Sequence, residues 1–226
     1  MSSVVADRRT EPWFRRLYLP AYRITDVARY AHTNVNTVSS WHHRSTPVLP
    51  GRERRKPLSY LELVEVAFVA FFRGMGISMQ RIRNARDYVA QNFNASYPFA
   101  EYVFKTEGFH VLMDYAQYDP GFKTDQIIVA DAHGQEAWTT LMGDRFAEFD
   151  YEYELAMRWH PASRGSLVVI DPRISFGAPT VKGLPTWVIV GRWRAGESPD
   201  EIMDEFGIEK DAVRDALLFE GIPETS

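Results

Sequence analysis

Cysteine is absent from the 226 residues of this chain. That excludes disulfides, thiolate zinc sites and a thiol nucleophile, and it suits a reducing compartment. Long apolar runs are missing as well. The longest, Val66–Phe72, falls far short of the roughly 20 residues that span a bilayer. No apolar stretch follows the first basic residues, so no secretory signal is expected and a cytoplasmic location is. There is no internal repeat, no glycine-rich phosphate loop and no pair of histidines at the spacing of a zinc helix. Acids are missing from one particular stretch, with none between Arg29 and Gly51.

What is present is a globular composition, 45% apolar and 14% aromatic, enough for a sizeable core and for two or three domains. Charge is divided unevenly along it. Residues 1–86 hold 15 Lys and Arg against 6 Asp and Glu, a balance of +9, whereas residues 87–226 carry −13, so the whole-chain value of −4 conceals a basic end and an acidic remainder. The basic end suits a polyanion such as double-stranded DNA, which would repel the rest.

Two helices joined by a tight turn are predicted near the N-terminus. Thr25 caps a short helix, Asp26–Ala31, with Val27, Ala28 and Ala31 inward. His32-Thr33-Asn34 makes the turn, and Asn34 caps a second helix running to about Arg44. Val35, Val38 and Trp41 form its buried stripe, leaving Asn36, Thr37, Ser39, Ser40, His43 and Arg44 outside. Those amides and hydroxyls can donate and accept at base edges in the major groove. Three prolines between Thr46 and Ser59 forbid a helix there, and a wing or hairpin is expected to carry Arg52, Arg54, Arg55 and Lys56 along the phosphates. Ser59 and Glu62 form a capping box for a helix, Leu61–Arg73, that is apolar almost all round and so buried or packed on a second subunit. A further helix begins at Ser78, with Ile82, Ala85 and Val89 inward and Arg81, Arg83 and Arg86 opposite. A helical interaction domain with a solvated basic face is the alternative to DNA binding.

Asn92–Tyr97 reads as a linker. Beyond it, Phe109–Tyr115, Gln126–Ala130, Tyr151–Trp159 and Ser166–Ile170 read as strands and Gly134–Phe149 as a helix, a small central α+β element over 93–165. Asp131 with His133, His110 with Asp114, and His160 with Asp150 are His–acid neighbours of the kind that usually make surface hydrogen bonds, so no catalytic residue, metal site or cofactor is assigned. Phe109, Tyr115, Trp138, Tyr151, Tyr153 and Trp159 either fill a core or enclose a small ligand.

Val168–Gly221 is the most patterned part. A helix from Thr186 or Pro185 through Arg194 is expected, with Val188, Ile189 and Trp193 inside and Arg192 and Arg194 exposed as candidates for contacting a protein partner. Ser198-Pro199-Asp200-Glu201 begins a second helix, Gly207 ends it, and a third runs Glu209–Glu220. Its outward Glu209, Asp211, Asp215 and Glu220 argue against a duplex and for protein contact, or for nothing beyond a solvated face. The fold class expected is therefore α+β and mainly helical: domain 1–92 with a winged helix-turn-helix, the central region 93–165, and a three-helix, helix-turn-helix-like unit over 166–226.

About residues 20–90, the run Ile24-Thr25-Asp26-Val27-Ala28-Arg29, Thr37-Val38 with Trp41, the basic wing, and Gly76-Ile77-Ser78 with Ile82-Arg83 resemble the winged helix-turn-helix of MerR-type regulators. That resemblance implies a homodimer on a palindromic operator. Ile170-Asp171-Pro172-Arg173-Ile174, Gly177-Ala178-Pro179, Val181-Lys182-Gly183, Pro185-Thr186, Ala195-Gly196-Glu197-Ser198 with Glu201-Ile202, and Phe206-Gly207-Ile208 with Val213 and Ala216-Leu217 resemble a domain of unknown function found in VapB-type antitoxins. The two together look like a noncanonical VapB-type antitoxin. The resemblance implies neutralisation of a PIN-type ribonuclease toxin and repression of the protein's own operon. A MerR-like ligand-sensing transcriptional regulator is the alternative, and an adaptor without a DNA role a third.

Overall fold

The computed structural model describes residues 11–43, 45–53, 55–101 and 143–223. The chain divides into two compact units, Met1–Ala147 with Tyr151–Ala156, and Glu148–Asp150 with Met157–Ser226.

The first unit contains α1 (Pro12–Arg16), α2 (Ile24–Tyr30), α3 (Val35–His43), α4 (Tyr60–Gly74) and α5 (Met79–Phe93). α2 begins earlier than expected, with Arg23 as N-cap and no side-chain cap bond, so Thr25 does not serve as its cap. The turn to α3 is closed by His32 at φ 50°, a position that usually demands glycine. Asn34 then caps α3 by accepting from Thr37 N at 2.8 Å. α3 is rotated from the expected stripe: Val38, Trp41 and His42 are buried, while Val35 is 36% exposed. Between α3 and α4 the chain is irregular. Its one bridge is Tyr22 with Leu58, so among the described residues the expected hairpin wing is not a strand pair. The prolines and a Trp41 carbonyl that accepts from both Val48 N and Leu49 N, each at 3.1 Å, hold it against the end of α3 instead.

α4 forms where expected, closed by the Ser59–Glu62 capping box, and is buried along nearly its whole length. In its middle sits Glu65, only 2% exposed. Arg86 Nε on α5 donates to it at 2.9 Å and Phe99 N at 2.7 Å. Burial pushes this carboxyl above its ordinary range, and the Arg86 charge and the two hydrogen bonds only partly offset that. Ile82, Ala85 and Val89 line the inner face of α5 as expected, but the arginines are not a solvated stripe. Arg81 is 7% exposed, Arg86 is spent on Glu65, and Arg83 donates to the carbonyls of Thr46 at 2.8 Å and Pro47 at 3.3 Å. The expected linker is likewise ordered. Asn94 ends α5 at φ 53°, and Ala95, Phe99 and Ala100 are buried. Phe99 packs on Phe72 with ring centroids 5.7 Å apart. Arg145, in a helical turn at 143–147, donates to Ala67 O at 2.9 Å. The strands expected at Phe109–Tyr115 and Gln126–Ala130, and most of the helix expected at Gly134–Phe149, lie outside the described residues.

The strands are β1 (Phe149–Glu152), β2 (Leu155–Trp159), β3 (Val168–Ile170), β4 (Pro179–Val181) and β5 (Leu184–Pro185), in sheet order β1-β2-β3-β4-β5. Tyr151–Trp159 is thus a hairpin and not one strand, turned by Tyr153 and Glu154 at φ 54° and 63°. β4 and β5 form a second hairpin, turned by Lys182 and Gly183 at φ 50° and 83°. Both turns put two successive residues at positive φ, the geometry whose twist matches paired strands. In the second unit, β3 pairs with β4 at Val168 with Val181, Val169 with Thr180, and Ile170 with Pro179. Three helices pack on these strands: α6 (Thr186–Arg194), α7 (Pro199–Phe206) and α8 (Lys210–Phe219). Val168, Val181, Ile189, Ile202, Ala212, Val213 and Ala216 make their common core. The Ser198–Glu201 capping box and the left-handed Gly207 bound α7 as expected. Asp215 is not outward: it is 8% exposed and accepts from Leu167 N at 2.8 Å, pinning α8 to the start of β3.

Removing either partner of the Glu65–Arg86 pair strands a buried charge. Glu65→Ala and Arg86→Met are each expected to destabilise the protein by about 3–5 kcal/mol, read by urea unfolding. Glu65→Leu combined with Arg86→Met should recover most of that loss.

Candidate functional site

In the first unit, α3 presents Asn36 and His43 exposed and Thr37, Ser39 and Ser40 half-buried. The Asn34 cap fixes the start of this face. Ser40 Oγ donates to Thr37 O at 2.8 Å, so its hydroxyl keeps only lone pairs for an outside group. Trp41 and His42 anchor the opposite side. His42 Nδ1 lies 2.7 Å from Pro50 O and donates to that carbonyl, while burial, chiefly, lowers its pKa and keeps the ring neutral at physiological pH.

The basic turn follows. Arg52 bends back to the Lys56 carbonyl and Lys56 N reaches Glu53 O at 3.3 Å. Arg55 at φ 66° and Lys56 are exposed at its tip. Arg52 is therefore half-buried and partly occupied as a brace, and its charge reaches His42. Arg44 and Arg54 lie outside the described side chains. The expected DNA-facing residues thus fall into two groups, a polar helix face and a basic turn, joined through Trp41, His42 and Arg52. Arg83 is a positioning residue that the helical pattern alone did not single out. Its grip on the Thr46 and Pro47 carbonyls sets the path of the chain leaving α3.

In the second unit the two partner candidates differ. Arg194 is exposed at the end of α6. Arg192 pairs with Glu197 at 3.1 Å and closely with Glu205, and it lies 5.9 Å over the Phe206 ring, so it ties α6 to α7. A larger cluster surrounds the expected Asp150–His160 pair, and its link through Arg158 to Asp171 was not legible in the sequence. Asp171, 1% exposed, accepts from Arg173 Nε at 2.9 Å and from Arg158 Nε at 3.4 Å. Arg158 also reaches Asp150 at 3.3 Å, and Asp150 binds Arg164 and His160 in addition. Burial alone would raise Asp171, but the hydrogen bonds from Arg173 and the charges of Arg173 and Arg158 outweigh it and leave the pKa below the usual carboxylate range. Burial likewise raises Asp150, and its bonds to Arg164 and His160 reverse the shift. An Asp150 so occupied holds arginines in place and is a poor proton acceptor for His160, whose own pKa burial lowers.

Trp159 is fully buried and stacks on Phe149 at 5.7 Å and 9°, so it fills a core. Phe109, Tyr115, Trp138, and the pairs His110–Asp114 and Asp131–His133 lie outside the described residues. Among the described residues, no three His, Cys, Asp or Glu side chains are grouped to hold a metal ion, and no helix is long and apolar enough to cross a membrane.

Residues 168–219 match a family model described as Protein of unknown function (DUF433). The chain as a whole is similar to a Mycobacterium tuberculosis H37Rv protein named "Putative antitoxin VapB45", at 24% identity over 89% of this chain and 94% of that one. A solved structure, the X-ray crystal structure of Rv2018 from Mycobacterium tuberculosis, shares the fold with a TM-score of 0.69 at 24% identity, covering 89% of this chain and 99% of that chain.

Because folding lowers the Asp171 pKa, its contribution to stability is complete above the unfolded value of about 3.9 and is lost as pH falls through the folded value. Asp171→Asn should melt below the wild type at pH 7, and the gap should close toward pH 3 in thermal unfolding followed across pH.

Proposed function

We propose that this protein is the antitoxin of a type II toxin–antitoxin pair, neutralising a PIN-type ribonuclease toxin and repressing its own operon as a DNA-bound homodimer. The observation that carries this reading is the extent of the similarity to the mycobacterial protein: it runs through both units and is not confined to the DUF433 region. The division of charge supports it from physics. The basic first third has an acid-free polar helix, and the acidic remainder is free for a protein partner.

In this reading the first unit is a MerR-like helix-turn-helix with its basic turn in the place of a wing. Asn36, Thr37, Ser39, Ser40 and His43 lie over base edges, and Arg44, Arg52, Arg54, Arg55 and Lys56 meet phosphates. Phosphate contacts set register and base contacts set sequence, so the two groups divide the work. Arg194 meets the toxin from α6, and Arg192 supports it through its bonds to Glu197 and Glu205.

Three outcomes test this. Arg55→Ala with Lys56→Ala should weaken binding to the protein's own promoter across all sequences and reduce the log–log salt slope by about 1.8, at about 0.9 per phosphate contact. An unchanged slope in gel-shift titrations removes the basic turn from the interface. Asn36→Ala should instead reduce discrimination between operator and random DNA while leaving that slope in place. Co-expression with the protein encoded next to it should relieve that neighbour's growth arrest, and Arg194→Glu should reduce the relief. A neighbour that is harmless alone would overturn the antitoxin assignment.

A further inference from the structure

A small cavity of about 150 Å³ opens in the first unit between the end of α3, the first turns of α4 and the turn after α5, lined by His42, Leu49, Pro50, Glu62, Glu65, Ser96 and Tyr97. Acceptors dominate its polar lining; the side-chain donors are the hydroxyls of Ser96 and of Tyr97, which is engaged with Ser59. His42 is 3% exposed. Its Nδ1 faces the Pro50 carbonyl, which can only accept, so the ring proton sits on Nδ1 and Nε2 keeps its lone pair. That Nε2 is buried and has no hydrogen-bond partner among the described residues. A buried acceptor without a donor is costly unless something supplies one. Glu62 spends one carboxylate oxygen on Ser59 N at 2.6 Å, and its other oxygen remains. Glu65 is already answered by Arg86 and Phe99 N. Among the described residues no lysine or arginine lines the cavity, and Arg52, the cation whose charge reaches His42, is turned back to the Lys56 carbonyl.

We infer that this cavity is a binding site for a small organic cation carrying N–H donors, a primary alkylammonium, which donates to His42 Nε2 and to the free oxygen of Glu62. The volume is several times the roughly 30 Å³ that a water occupies in the liquid, so it admits an ammonium group with a short alkyl stem beside Leu49 and Tyr97. Bound there, the cation links α3 to α4 and the turn after α5, and it braces the end of the helix whose outer face carries Asn36 and His43. The site goes beyond the antitoxin reading and does not rest on it, since it needs neither DNA nor a toxin.

The test is a titration of the full chain with methylammonium chloride at constant ionic strength and pH 7.5, following the His42 ring by carbon–proton NMR. Saturable shifts at His42 and Tyr97 are expected, with none from tetramethylammonium, which has the charge but no N–H. Glu62→Gln keeps the capping box, since glutamine serves there as well, and should weaken binding at least about tenfold through loss of a charge-assisted bond. His42→Phe should abolish it, with its melting curve showing that the fold persists. Shifts that rise linearly and equally for both cations mean a cavity holding only water and overturn the proposal, as does unchanged affinity in Glu62→Gln.

Discussion

The first unit is organised around one charge placed where charge is expensive. α4 is apolar on nearly every side, and a helix of that kind specifies burial without specifying which neighbour goes where. Glu65 supplies the missing instruction. Its two oxygens are satisfied by Arg86 on α5 and by the backbone of Phe99, so α5 and the segment after it can dock in one register only. An apolar residue at the same place would tolerate sliding. The net energy of such a pair is small or negative beside a well-packed hydrophobic substitute, so its value here is uniqueness of arrangement.

The second unit uses buried carboxylates in the same way and with different results. Asp215 ties α8 to the backbone at Leu167, and Asp171 gathers Arg158 and Arg173 beside it. The acidic composition of this half therefore overstates the negative charge of its surface, because some of its acids are consumed inside. The converse holds in the basic half, where Arg81, Arg83 and Arg86 serve the fold. The polarity of the two surfaces is set by the exposed side chains left over, among them Arg55 and Lys56 at one end and Asp200 and Asp204 at the other.

Local chemistry was legible in the sequence wherever it acts over three or four residues. The Ser59–Glu62 and Ser198–Glu201 boxes, the Asn34 cap and the Gly207 stop all mark real helix ends. The hairpins were not legible. Tyr153-Glu154 carries no residue that announces a turn, and the glycines and prolines around Lys182-Gly183 announce a loop equally well. Pairing with a neighbouring strand, which no local pattern encodes, makes up the difference. The same limit hid the roles of the α5 arginines. Their spacing places them on the polar side of a helix, but whether that side meets water or a buried carboxylate 21 residues away depends on tertiary structure. On the polar face of α3, Asn36 and His43 are exposed and Thr37, Ser39 and Ser40 half-buried, and the inward stripe differs from the expected one at one member, Val35 giving way to His42.

The grip of Arg83 on the Thr46 and Pro47 carbonyls has a thermodynamic corollary. Loops that meet polyanions commonly lose freedom on contact, and each immobilised, rotamer-rich side chain then subtracts about 0.5–1.5 kcal/mol from association. Here the approach to the basic turn is already moored to α5, and Arg52 is already folded onto Lys56. Part of that ordering entropy has been surrendered during folding, so any contact made through this turn would cost less to form.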